Sequence, residues 1–113
     1  MNNLSNSVRL TGRLGAAPEL KITDSEQKWA KISLATNYVR KNKKGERVEE
    51  TDWHRLILWG GQAEVAEKYL DKGSRIAIEG RLANRYYTDD EGKKHQVTEI
   101  VVNELMLLSK REN

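Results

Sequence analysis

The chain has 113 residues, with 20 Lys and Arg against 17 Asp and Glu, so one domain fits and the net charge of +3 names no partner. The absence of cysteine excludes a disulfide framework, a thiolate metal site and Cys nucleophile chemistry, and His54 and His95 alone make no His-rich metal centre. The longest apolar runs, at 56–59 and 105–108, fall far short of a membrane span, and the polar opening is no secretory signal; the protein is expected in the cytoplasm.

Residues 8–14 alternate. Val8, Leu10, Gly12 and Leu14 share one parity and Arg9, Thr11 and Arg13 the other, as in a half-buried strand. Gly15 and Pro18 then interrupt the chain. A second strand is predicted over 29–38, with Ala30, Ile32 and Leu34 on one side and Trp29, Lys31 and Ser33 on the other. Lys43-Lys44-Gly45-Glu46 reads as a hairpin tip, and the returning strand runs over 47–59. The helix is predicted over 62–72. There Ala63, Ala66, Tyr69 and Leu70 recur at helical spacing, which places Tyr69 in the core. Glu64 lies early and Lys68 and Lys72 late, suiting the helix dipole, and Gly73 is the predicted C-terminal cap.

A fourth strand follows over 75–87, with Ile76, Ile78, Gly80, Leu82 and Tyr86 at inward parity. Asp89-Asp90-Glu91-Gly92 forms a turn. In the fifth strand, from 95 to about 108, the run Ile100-Val101-Val102 predicts burial on both faces. Three strands, a helix and two strands fit an all-β fold, the five-stranded Greek-key barrel of the oligonucleotide-binding type, with its helix between strands 3 and 4. An open α+β sandwich would read the same way. Residues 1–109 form the predicted domain and 110–113 a short polar tail.

The third strand carries the chemistry. If Leu56 and Leu58 fill the core together with His54, then Trp53, Arg55, Ile57 and Trp59 face outward. In the fourth strand Arg81, Arg85 and Tyr87 share the outward parity, and the hairpin concentrates Arg40, Lys41, Lys43, Lys44 and Arg47 around Glu46. Flat rings beside cations suit single-stranded nucleic acid, whose bases stack and whose phosphates are neutralised without regard to sequence. Paired aromatics are equally at home in a protein interface, and single arginines on a strand are ordinarily solvated charge. Trp29 is assigned to packing or a subunit contact. Asp52 and His54 suggest a nuclease, but no nucleophile, base and orienter assemble around them, so no catalytic residue is named.

The motifs Asn6-Ser-Val-Arg-Leu-Thr-Gly-Arg-Leu-Gly15, Ser33-Leu-Ala-Thr36, Thr51-Asp-Trp-His-Arg55, Ala63-Glu-Val-Ala-Glu-Lys-Tyr-Leu70, Lys72-Gly-Ser74, Ile78-Glu-Gly-Arg-Leu82 and Thr98-Glu-Ile-Val-Val-Asn103 occur in one order. As an ordered set they resemble the bacterial single-stranded DNA-binding proteins along nearly the whole chain. The resemblance implies a homotetramer that binds single-stranded DNA in replication, recombination and repair, without a cofactor. It places Trp53, Trp59 and Tyr87 at base-stacking positions, and Arg55, Lys72 and Arg85 near the DNA path. His54 falls at a position that supports the subunit interface, and the first strand, with Val8 and Leu10, at an edge used for dimer pairing. A further aromatic of the family falls near position 40, where Arg40 stands and Tyr38 is the nearest ring. The sequence ends at Lys110-Arg-Glu-Asn113 without the acidic tip that recruits replication and repair proteins in many members, which puts partners of that kind in doubt and fits a tailless variant and a truncated chain alike. The alternatives are a dimeric primosome-type accessory protein of the same fold, an RNA-binding variant and a small nuclease.

Overall fold

The computed structural model describes residues 4–109; the tail at 110–113 lies outside them. Its elements are β1 (Val8–Leu14), β2 (Glu19–Ile22), β3 (Lys28–Lys41), β4 (Arg47–Trp59), α1 (Gly61–Tyr69), β5 (Arg75–Thr88) and β6 (Lys94–Ser109). Five of the strands close on themselves in the order β1-β5-β6-β4-β3, and β1 returns to β3 through Arg13↔Ala35 and Leu14↔Leu34. All pairings are antiparallel except β4 with β6, at Leu56↔Ile100 and Ile57↔Val101. This is the expected barrel, with α1 between β4 and β5.

Alternation builds the core. Ala30, Ile32 and Leu34 from β3, Leu56 and Leu58 from β4, Ile76 and Ile78 from β5, and Ile100 and Val102 from β6 point into one buried cluster. The helix adds Ala63 and Ala66, small enough to let it seat against β3 and β4. Gly12 permits the closure itself, since a Cβ there would overlap the Ala35 carbonyl oxygen where β1 meets β3.

Several details differ from the sequence reading. A sixth strand, β2, continues the edge of β3 after β1 leaves it, pairing Glu19↔Lys31 through Ile22↔Lys28. The helix ends at Tyr69, because Leu70 is already extended (φ −107°, ψ 145°). Gly73 (φ 88°) therefore serves the turn in which the Ser74 N–H donates to the Asp71 carbonyl at 3.0 Å, and it is not the helix cap. Tyr69, Leu82 and Tyr86 are exposed, not core. For Tyr69 the reason is that α1 offers only its alanine side to the barrel. For Leu82 and Tyr86 it is that β1 stops pairing with β5 at Val8↔Gly80, so beyond Gly80 β5 has a strand, β6, on one side only and runs out along the edge of the sheet. Burial on both faces at 100–102 holds only in part: Ile100 and Val102 are buried, and Val101 is half-buried. The long β3–β4 and β5–β6 ribbons stretch the molecule to 54 × 40 × 33 Å.

Candidate nucleic-acid interface

Trp53, Arg55 and Trp59 stand on the outer face of β4, as alternation requires, while Leu56 and Leu58 are fully buried. Ile57 shares the outward parity yet is buried, covered by its neighbours in a row that runs Lys31 (β3), Ile57 (β4), Val101 (β6) and Arg81 (β5). Six residues separate the two indoles, about 20 Å along a strand at ~3.3 Å per residue.

Trp53 is 62% exposed, but it is not loose. The six-membered ring of the indole rests against Gly15, where a Cβ would overlap its Cζ3 and Cη2. The bare backbone is the seat. Between β4 and the β5–β6 ribbon lies a recess of about 470 Å³ lined by Trp53, Arg55, Tyr87, His95 and Thr98 among others. The fold thus brings Tyr87 to Trp53 and Arg55 across the barrel wall.

Tyr87 pairs with His95 across the ribbon, and the two rings stack at 5.1 Å between centroids and 19° between planes. His95 Nε2 lies 2.7 Å from Asp89 Oδ2 at the hairpin turn. The hydrogen bond from His95, with backbone N–H groups from the turn, holds the Asp89 carboxyl below its usual range. This chain of contacts fixes the ring orientation of Tyr87. Sequence reasoning missed His95. Its signal is the hairpin register, since a turn closed by Asp89 opposite Lys93 places residues 87 and 95 opposite each other.

The predicted cations divide into two groups. Among the described residues, Arg55, Arg81, Lys72, Lys43 and Lys44 are exposed and take part in no ion pair. Arg85 is instead held bidentately by the buried Glu99, with Nη2···Oε2 at 2.9 Å and Nε···Oε1 at 3.3 Å. The hydrogen bond and charge of Glu99 raise the pKa of the guanidinium above its usual value. Arg40 is bound by Glu50 at 2.6 Å, so the hairpin carries less free positive charge than its composition suggests. Tyr38 is exposed on the same ribbon, opposite Glu50. At the tip the Asn42 side-chain oxygen accepts the N–H groups of Lys44 and Glu46, both at 2.9 Å, which holds Lys43 and Lys44 at the apex.

His54 is half-buried, with Nε2 2.9 Å from Thr36 Oγ1. Asp52 is exposed, and no group of three or more metal-ligating side chains occurs among the described residues. Val8 and Leu10 are half-buried on β1. That strand pairs with β5 on one side, and its other edge meets β3 only at residues 13 and 14.

Residues 5–108 match the model of the single-strand binding protein family. The chain belongs to that family. It is 38% identical over 109 residues to single-stranded DNA-binding protein 1 of Xylella fastidiosa, covering 96% of this chain and 80% of the relative. A single-stranded DNA-binding protein of Xanthomonas campestris is 40% identical over 106 residues, and there the match spans 94% of this chain and 62% of the relative. Among solved structures, Plasmodium falciparum SSB in complex with ssDNA aligns with a TM-score of 0.85 at 34% identity, covering 96% of this chain and all of that one. A deletion mutant of the Thermus aquaticus single-stranded DNA binding protein aligns at 0.80 and 31%, over 94% of this chain and 51% of that one. For this family member the likeness to the structures carries the oligonucleotide-binding barrel, which the strand order shows independently.

Proposed function

We propose that the chain binds single-stranded DNA largely without regard to sequence, as a non-enzymatic protein of replication, recombination and repair in the cytoplasm. The 1–109 span acts as one binding domain. Trp53, Trp59 and Tyr87 stack on bases, with Tyr38 as a further ring on the β3–β4 ribbon. Arg55, Arg81, Lys72, Lys43 and Lys44 neutralise phosphates, and the pre-paired Arg85 and Arg40 border the path. The single observation that carries this reading is the open recess in which Trp53, Arg55 and Tyr87 meet, with Gly15 behind one ring and His95 behind another. Assembly as a homotetramer goes with it, with Val8, Leu10 and His54 near the contacts between copies. The primosome-type accessory role is not favoured, because the relatives and structures matched carry the name of single-stranded DNA-binding proteins.

Titration with poly-dT at low salt is expected to quench the tryptophan fluorescence strongly, and native mass on the same sample to give four chains. Unquenched fluorescence at strand excess would remove the stacking assignment. Poly-U is expected to compete poorly.

The seat of Trp53 gives a sharper test. Gly15→Val places a side chain where the indole now lies. It is expected to weaken poly-dT binding by about 1 kcal/mol, near the lower bound for losing a stacked base. The far-UV spectrum should be unchanged. Full affinity in this variant would show that Trp53 does not depend on that seat.

A further inference from the structure

Away from the recess, a second aromatic feature sits at the other end of β4. Trp29 and Trp59 are register partners on adjacent strands, and Lys21 is the register partner of Trp29 on β2. The three side chains form one row across three strands. Ring centroids of the two indoles lie 5.8 Å apart with planes 32° from parallel, and Lys21 Nζ is 6.0 Å from the Trp29 ring. At this separation and tilt the two indoles are not stacked face to face, and they form one continuous aromatic row. In front of it is a second recess of about 470 Å³, bounded by Lys31, Ile57, Arg85 and Glu99.

The sequence reading gave Trp29 to packing or a subunit contact. Its position argues otherwise. Ala30, Ile32 and Leu34 already fill the β3 contribution to the core, and Trp29 is on the opposite parity, half-buried, with the Trp59 ring beside it and Lys21 above it. Lys21 takes part in no ion pair among the described residues, so its charge is available. Lys31 is partly engaged by Glu19 at 3.7 Å, and Arg85 is held by Glu99.

We infer that Trp29 is itself a base-stacking residue: it enlarges the Trp59 platform into a two-indole shelf for an unpaired nucleobase, with Lys21 on the adjoining phosphate. The inference rests on the proposed binding of single-stranded DNA. Stacking tolerates any base, so the shelf lengthens the strand contact without adding sequence preference. Lys21 supplies the charge that the neutralised Arg85 does not.

The chain has three tryptophans, so Trp53→Phe with Trp59→Phe leaves Trp29 as the sole indole. In that variant, saturating poly-dT is expected to quench the remaining fluorescence by more than half, with strand binding followed separately by the anisotropy of a labelled oligo-dT. Trp29→Ala in the otherwise natural chain is expected to lower affinity about tenfold, and Trp29→Phe to restore most of it. In a Trp59→Ala background, Trp29→Ala should still cost severalfold. If Trp29 merely props Trp59, the second loss vanishes and the lone indole is not quenched while the strand binds, and the inference fails. A fall in native mass for Trp29→Ala with an unquenched lone indole assigns Trp29 to a subunit contact and overturns it equally. Absence of binding by the natural chain on the same instrument would instead overturn the proposed function itself.

Discussion

Trp53→Ala combined with Trp59→Ala is expected to weaken binding of oligo-dT by about 2–6 kcal/mol, roughly 30-fold to 10⁴-fold. Each ring stacked on a base contributes about 1–3 kcal/mol. The two losses should add, because sites more than ~10 Å apart without shared partners behave independently. These indoles are about 20 Å apart along the strand at ~3.3 Å per residue. Their surroundings are also separate: Trp53 rests on Gly15, and Trp59 neighbours Trp29. Trp29 survives in this variant, which holds the Trp59 contribution toward the lower bound. Folding should be little affected, since neither ring belongs to the buried cluster, and exposed substitutions ordinarily stay within about 0.5 kcal/mol. Anisotropy of a labelled oligo-dT and a thermal melt decide the matter together. A loss under threefold with an unchanged melt would mean that bases do not stack on this face.

The barrel strands were legible because alternation is a local signal that burial reinforces. Ala30, Ile32 and Leu34, then Leu56 and Leu58, announce both the strand and its inner face. β2 was not, because Glu19, Leu20, Lys21 and Ile22 are all exposed and four residues between Pro18 and Thr23 carry too short a pattern. Parity along β5 served well up to Gly80 and failed at Leu82 and Tyr86. The failure is tertiary: inward has no meaning once β1 no longer lies alongside. The same division runs through the site. Trp53, Arg55 and Trp59 lie on one strand, so their shared face follows from spacing alone. The meeting of Tyr87 with Trp53, the stacking of His95, and the Gly15 seat all require strands far apart in sequence to come together. Charge was overcounted for a related reason. Composition counts Arg40 and Arg85 as cations, whereas register brings Glu50 and Glu99 to them.

That recount has a measurable consequence. A cation already paired with a carboxylate brings no net charge to a phosphate, so it should contribute little to counterion release. Five predicted cations remain free, namely Arg55, Arg81, Lys72, Lys43 and Lys44. At about 0.7 per phosphate on a single strand, these five alone give a slope near −3.5 for the logarithm of affinity against the logarithm of salt, and Lys21 on the two-indole shelf would bring it near −4.2. For the five, raising salt about tenfold should weaken binding by roughly 3,000-fold. Counting Arg40 and Arg85 with the five would give a slope near −4.9. Two charge-changing variants separate these cases. Lys43→Gln with Lys44→Gln should reduce the magnitude of the slope by about 1.4, as two free charges leave the tip. Arg40→Gln with Glu50→Gln removes both members of a 2.6 Å pair and should leave the slope unchanged. If that neutral exchange flattens the slope by about 0.7, half of what the lysine variant does, Glu50 releases Arg40 when the strand arrives, and the pairing seen in the free chain is a resting state that DNA breaks.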